Sequence, residues 1–204
     1  MGKTYNSLFA STIRLASWRR NIRSHNQLVV RQRRGTSIGS GISVIPFKGT
    51  NTLMFQFSWK PDTQLGQTKN TGGTHNVILA FSNVEIKGAD EAPDEAYLYK
   101  DYIPVEYNGE MYYVRRITER TSPMQVRCTC MDYYQTWRWA NFRARCHYGP
   151  LGAKYIRKTP PPSQGGRPYK NPQMIPGVCK HIMQSMRVLY SGTEYNKRLV
   201  KWFY

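Results

Sequence analysis

The chain has 204 residues, with 30 Lys and Arg against 12 Asp and Glu, a formal charge of +18. That length suits one large domain or two small ones, and no run approaches the roughly 18 apolar residues a membrane span needs. Such a surface repels copies of itself and attracts polyanions. The charge is uneven: Asp62 is the first acid, after ten Lys and Arg, and ten of the 12 acids fall between Asp62 and Glu119. Beyond Glu119 only Asp132 and Glu194 oppose fifteen Lys and Arg.

Taken in chain order, Ser7 to Arg34 reads as a basic amphipathic helix. Leu8, Phe9, Ile13, Leu15, Trp18 and Ile22 recur near helical spacing with arginines between them. The reading is an N-terminal arm, residues 1–41, that folds against a neighbour; Arg14, Arg19, Arg20, Arg23, Arg31, Arg33 and Arg34 are its candidate contacts to a polyanion or partner. Gly35 to Gly41 reads as a flexible joint. The period then changes to two: Leu53, Phe55, Phe57 and Trp59 alternate as a half-buried strand, and Val77, Leu79 and Phe81 mark a second within Val77 to Ile86. Lys60 to His75 between them is a polar loop, and its Gly72-Gly73 lacks the following lysine of a phosphate-binding loop. Gly88 to Glu95 reads as an acidic turn. Ile103 to Tyr107 and Glu110 to Ile117 flank Asn108-Gly109, a pair that tolerates positive φ and so favours a type I′ hairpin. Met124 to Cys130 is a further strand, whose alternation puts Cys128 and Cys130 on one face. In the aromatic stretch Met131 to Arg145, Tyr133, Trp137 and Ala140 share a helical face. The proline-rich run Tyr155 to Met174 cannot be a regular helix and reads as polyproline-type extension. Val178 to Tyr190, with Ile182, Met183, Met186 and Leu189 on one side, is a helix closed by Ser191-Gly192.

All four cysteines lie between residues 128 and 179, as Cys128-Thr129-Cys130, Cys146 and Cys179-Lys180-His181. The N-terminus, Met-Gly-Lys-Thr-Tyr-Asn, has no apolar core of a signal peptide, so the thiols are expected reduced rather than paired in disulfides. Clustered reduced thiols beside a histidine suit a metal. Cys128, Cys130, Cys179 and His181 supply three thiolates and an imidazole, a tetrahedral zinc set, and the helix N-terminus is expected to favour the Cys179 thiolate. The alternative uses Cys146 as the fourth ligand. Cys128, Cys130, Cys146 and Cys179 would then carry a 4Fe-4S cluster. His25 and His75 lie in polar segments and read as surface residues. No catalytic residues are assigned: four or five candidate ligands compete for the ion, which argues for a closed structural site, and Asp132 is the only acid between Arg120 and Glu194.

Cys128-x-Cys130 followed at a distance by Cys179-x-His181 resembles the SWIM zinc finger, in which a hairpin supplies the first pair and a helix start the second. That resemblance implies contacts to nucleic acid or protein. A longer string, from Arg127 to about Met186, also resembles a family of virion structural proteins of tailed bacteriophages. It comprises Cys-x-Cys, an aromatic stretch, Tyr148-Gly149-Pro150, Arg167-Pro168-Tyr169, Asn171-Pro172 and Pro176-Gly177-Val178-Cys179-Lys180-His181. It implies a non-enzymatic tail, baseplate or neck subunit in a multi-copy assembly with other virion subunits, built in the host cytoplasm. The expected architecture is α+β: the basic arm, a mostly antiparallel β body over 42–126, and a metal-stapled, loop-rich C-terminal lobe over 127–204.

Overall fold

The computed structural model describes residues 2–18, 36–61, 74–152, 155–156, 162–165, 171–195 and 198–204. The fold is α+β with antiparallel sheets. Helix α1 (Tyr5–Trp18) leads into a four-stranded sheet of order β1-β2-β3-β7: β1 (Thr36–Phe47), β2 (Thr52–Pro61), β3 (His75–Phe81) and β7 (Met124–Cys128). Between β3 and β7 the chain builds a three-stranded sheet from β4 (Ile86–Lys87), β5 (Tyr102–Tyr107) and β6 (Glu110–Arg115), ordered β4-β6-β5. A π-helical segment (Tyr133–Trp137) then runs into helix α2 (Arg138–Arg143). Helix α3 (Lys180–Ser191) and the two-stranded β8 (Thr193–Tyr195) and β9 (Arg198–Val200) complete the chain.

The period-two pattern of β2 does what alternation demands. Leu53, Phe55, Phe57 and Trp59 are buried on one face, and the register sets Leu53 opposite Phe81, Phe55 opposite Leu79 and Phe57 opposite Val77. On β7, Met124, Val126 and Cys128 continue that face opposite Phe81, Leu79 and Val77. Helix α3 packs over it, with Ile182, Met183, Met186 and Leu189 buried. The Trp59 indole N–H donates to Ser185 Oγ at 2.8 Å, and Ser185 Oγ–H donates to the His181 carbonyl at 2.9 Å. The first bond ties α3 to β2, and the second, within α3, orients the Ser185 hydroxyl for it. The C-terminal residues Trp202 and Phe203 are buried too: Trp202 meets Phe55 edge-on and Phe203 stacks on Tyr190.

The Asn108-Gly109 turn has φ of 54° and 80°, the two left-handed residues that the hairpin requires. Elsewhere the described residues differ from the expectations or do not reach them. Helix α1 is described over Tyr5–Trp18; the rest of the expected helix to Arg34, with Arg19, Arg20, Arg23, Arg31, Arg33 and Arg34, lies outside the described residues. Over its described part the arm packs on its own chain, because Leu8 and Leu15 are buried in the common core. Thr4 and Ser7 cap α1 reciprocally: the Ser7 N–H donates to Thr4 Oγ1 at 3.4 Å and the Thr4 N–H to Ser7 Oγ at 3.1 Å. Thr36 to Gly41, within the expected joint, belongs to β1 and carries a register shift between Ile38 and Ile42. Strand β3 ends at Phe81, and Ile86 pairs in the other sheet. Residues 62–73, including Gly72-Gly73, and most of the proline-rich run lie outside the described residues; Pro162–Gln164 is a short 3₁₀ turn. The boundary drawn between 126 and 127 falls within β7.

Candidate metal centre

Three elements converge on one point. Strand β7 ends at Cys128, and the chain turns through Thr129 to Cys130 just before the helical segment. Alternation along a continuing strand, the expected reason for pairing the two thiols, is therefore replaced by a turn. The Cys130 N–H donates back to Cys128 Sγ at 3.4 Å, and the Tyr133 N–H donates to Cys130 Sγ at 3.3 Å. From the other side, Cys179 is the extended N-cap of α3, and His181 lies in its first turn. Cys128 Sγ and His181 Nδ1 are 3.8 Å apart. The four side chains are all buried, and their ligand atoms all lie within 4.8 Å of one another. Tetrahedral Zn–S bonds of about 2.3 Å put neighbouring donors roughly 3.8 Å apart, so the group fits an ion with shifts of about 1 Å or less.

The electrostatics of the cluster are those of thiols crowded together. The Cys128 and Cys179 thiols hydrogen-bond to Cys130 and hold its sulfur well below the ordinary thiol range. Burial pushes Cys128 and Cys179 up. A cation among them removes this conflict by compensating several thiolates at once.

Cys146 does not join the group. Its Sγ–H donates to the Asn141 carbonyl at 3.4 Å, while its own carbonyl accepts from the Val126 N–H at 2.9 Å. The four-cysteine set is therefore not assembled, since Cys146 serves the join between the helical segment and the outer side of β7. All four cysteines are free thiols.

The loop that delivers Cys179 is held by buried amides. Asn141 Nδ2 donates to the Gly177 carbonyl and the Gly177 N–H donates to Asn141 Oδ1, both at 2.8 Å. Asn171 clasps the same loop upstream, donating to the Ile175 carbonyl at 2.7 Å and accepting from the Ile175 N–H at 3.0 Å. The Val178 N–H donates to Thr12 Oγ1 at 2.9 Å, which ties α1 to the residue before Cys179. A Cβ on Gly177 would come within 2.5 Å of Trp137 and 2.6 Å of Thr12 Oγ1, so only glycine allows the loop to pass between them. Tyr133 lies beneath, fully buried; its O–H donates to the Val126 carbonyl at 2.7 Å.

Three site residues depart from the sequence reading. His75, read as a surface residue, is half-buried with its ring centroid 4.6 Å from that of His181. Past the last register pair, Val77 opposite Cys128, the Thr129 N–H donates to the Asn76 carbonyl at 3.0 Å, which keeps β3 beside the turn that carries Cys130. The signal was present: His75 shares its strand face with Val77, Leu79 and Phe81. Asn141 and Thr12 left no such signal, because their partners lie 36 and 166 residues away. His25 lies outside the described residues. Of the arginines proposed as polyanion contacts, Arg14 is described and sits exposed on α1. No described helix is long and apolar enough to cross a membrane.

No protein-family model matches the chain, and neither the curated proteins nor the solved structures contain a significant match.

Proposed function

We propose that Cys128, Cys130, Cys179 and His181 bind a structural zinc ion, and that the protein is a non-enzymatic subunit of a tailed-phage particle, in its tail, baseplate or neck. The single observation that carries the metal reading is the buried group of three sulfurs and one imidazole nitrogen. With four protein donors no position is left for a substrate or a nucleophilic water, which is the pattern of a structural rather than a catalytic zinc. Zinc is favoured over a 4Fe-4S cluster because the group is Cys₃His and omits Cys146. When bound, the ion would supply a crosslink between the end of β7 and the start of α3. The particle reading rests on the motif string from Arg127 to Met186 and on a basic N-terminal segment suited to a neighbouring subunit.

Purified protein is expected to contain one zinc per chain by elemental analysis and to be colourless; brown protein with iron would replace zinc by a cluster. The particle reading is tested by mass spectrometry of purified virions, where the chain is expected at a fixed multi-copy ratio to the other structural proteins. Its absence from intact virions would end that reading.

A second reading, a zinc-stapled protein that binds nucleic acid, is favoured by the +18 charge, large for solubility alone. Steep loss of DNA binding with rising salt is its expected signature.

A further inference from the structure

The helical segment after Cys130 has two sides. Tyr133, Trp137, Ala140 and Asn141 face the core, whereas Phe142 and Arg143 are exposed and Tyr134, Arg138 and Trp139 are partly so. The outer side is organised. The Trp139 and Phe142 rings stack with centroids 6.0 Å apart and 28° between planes. The Arg138 guanidinium lies 4.0 Å from the centre of the Tyr134 ring, and Tyr134 meets Tyr155 edge-on at 5.6 Å. Rings and guanidinium groups thus share one surface, and Phe142 remains 46% exposed.

Along the chain, the charge that follows this segment's start is one-sided. From Tyr133 to Thr193 the sequence has no acid and ten Lys and Arg. Asp132, at the start of the segment, accepts a hydrogen bond from Thr136 Oγ1 at 3.3 Å. Arginine and aromatic rings also suit protein interfaces, but a segment with no acid from Tyr133 to Thr193 favours a polyanion. Flat rings interleaved with guanidinium groups match a ligand that alternates bases and phosphates.

We propose that this face binds single-stranded nucleic acid, with bases stacking on Trp139 and Phe142 and phosphates held by Arg138 and Arg143. The proposal rests on the nucleic-acid reading above and assigns it a place in the fold. A single strand is favoured over duplex because unpaired bases expose the faces that stacking needs. The site lies directly after Cys130, so the metal centre would anchor the helical segment that presents it.

The test uses the zinc-loaded full chain and a fluorescein-labelled 20-mer of deoxythymidine, followed by anisotropy at low and moderate salt, with a 20-base-pair duplex in parallel. The single strand is expected to bind more tightly than the duplex. Trp139→Ala and Phe142→Ala are each expected to weaken it about fivefold or more. Arg143→Gln is expected to lower the slope of log affinity against log salt by about 0.7. Zinc content checks that each variant is folded, and Arg143→Gln, at an exposed position, carries the test if a ring variant loses its zinc. No binding by the unaltered protein would overturn both this proposal and the nucleic-acid reading. Binding unchanged in the ring and Arg143 variants would overturn the placement alone, leaving the nucleic-acid reading to the N-terminal arginines. Equal competition by polyglutamate would replace nucleic acid with an acidic protein partner.

Discussion

Cys179 and Cys146 are both fully enclosed thiols, yet their surroundings assign them different work. Cys179 faces two sulfurs and an imidazole, whereas Cys146 faces a backbone carbonyl. Replacing Cys179 by Ala is expected to abolish zinc retention and to lower the thermal midpoint at least to that of the chelated protein, because the binding energy of a structural zinc is folding energy. Cys146→Ala is expected to leave one zinc per chain and cost about 1 kcal/mol for the small void, measured by elemental analysis and urea unfolding. Equal zinc loss in both variants would show that the ligand set has been misidentified. Gly177 gives a second contrast at this scale. Alanine there must displace Trp137 or Thr12, a buried overpacking expected to cost about 1–3 kcal/mol in urea unfolding. The constraint is steric, since Gly177 is not among the residues with positive φ.

At the scale of elements, the metal lobe is held partly from outside itself. Helix α1 reaches across the chain through one hydroxyl, Thr12 Oγ1, which accepts the Val178 N–H and donates to the Leu8 carbonyl at 2.9 Å. Thr12→Val keeps the shape but leaves that buried N–H without an acceptor, an expected loss of about 1–3 kcal/mol. Because Val178 adjoins Cys179, zinc should also leave Thr12→Val faster when a chelator is added; an unchanged release rate would mean that α1 only packs against the lobe. Helix α3 is set differently, by apolar burial over the sheet and by the Trp59–Ser185 hydrogen bond. The proposed crosslink would therefore join two elements already in register, and an ion there would add stability and precision to an arrangement that the core defines.

For the whole molecule, one buried cluster runs from Leu8 in α1 through the sheet to Met186 in α3 and Phe203 at the C-terminus. Loss of the ion is accordingly expected to reach the entire fold. Chelation should lower the thermal midpoint as a single cooperative transition; a two-step melt would mark the C-terminal lobe as an independent unit. The pH dependence has a definite sign. Ion-bound thiolates carry no proton, while free thiols in the unfolded chain are protonated below about pH 8.5. Metal-linked stability is thus greatest above that value and falls as the pH drops, so zinc-loaded protein should lose its thermal advantage over the chelated form on acidification.

The sequence by itself determined the strands with period-two burial, the type I′ hairpin, helix α3 and the four candidate ligands, Cys128, Cys130, Cys179 and His181. These depend on local rules: alternation, turn chemistry, helical spacing and the donor types a metal accepts. Tertiary structure alone decided that Cys146 stands apart from the other thiols, that His75 lies against His181, that α1 belongs to the core, and that Thr12 and Asn141 hold the loop before Cys179. The physical reason is distance along the chain. A buried hydrogen-bond partner or a ring contact contributed by a residue tens to hundreds of positions away leaves no periodicity behind, and becomes visible only when the sheet register and the helix above it bring the two together.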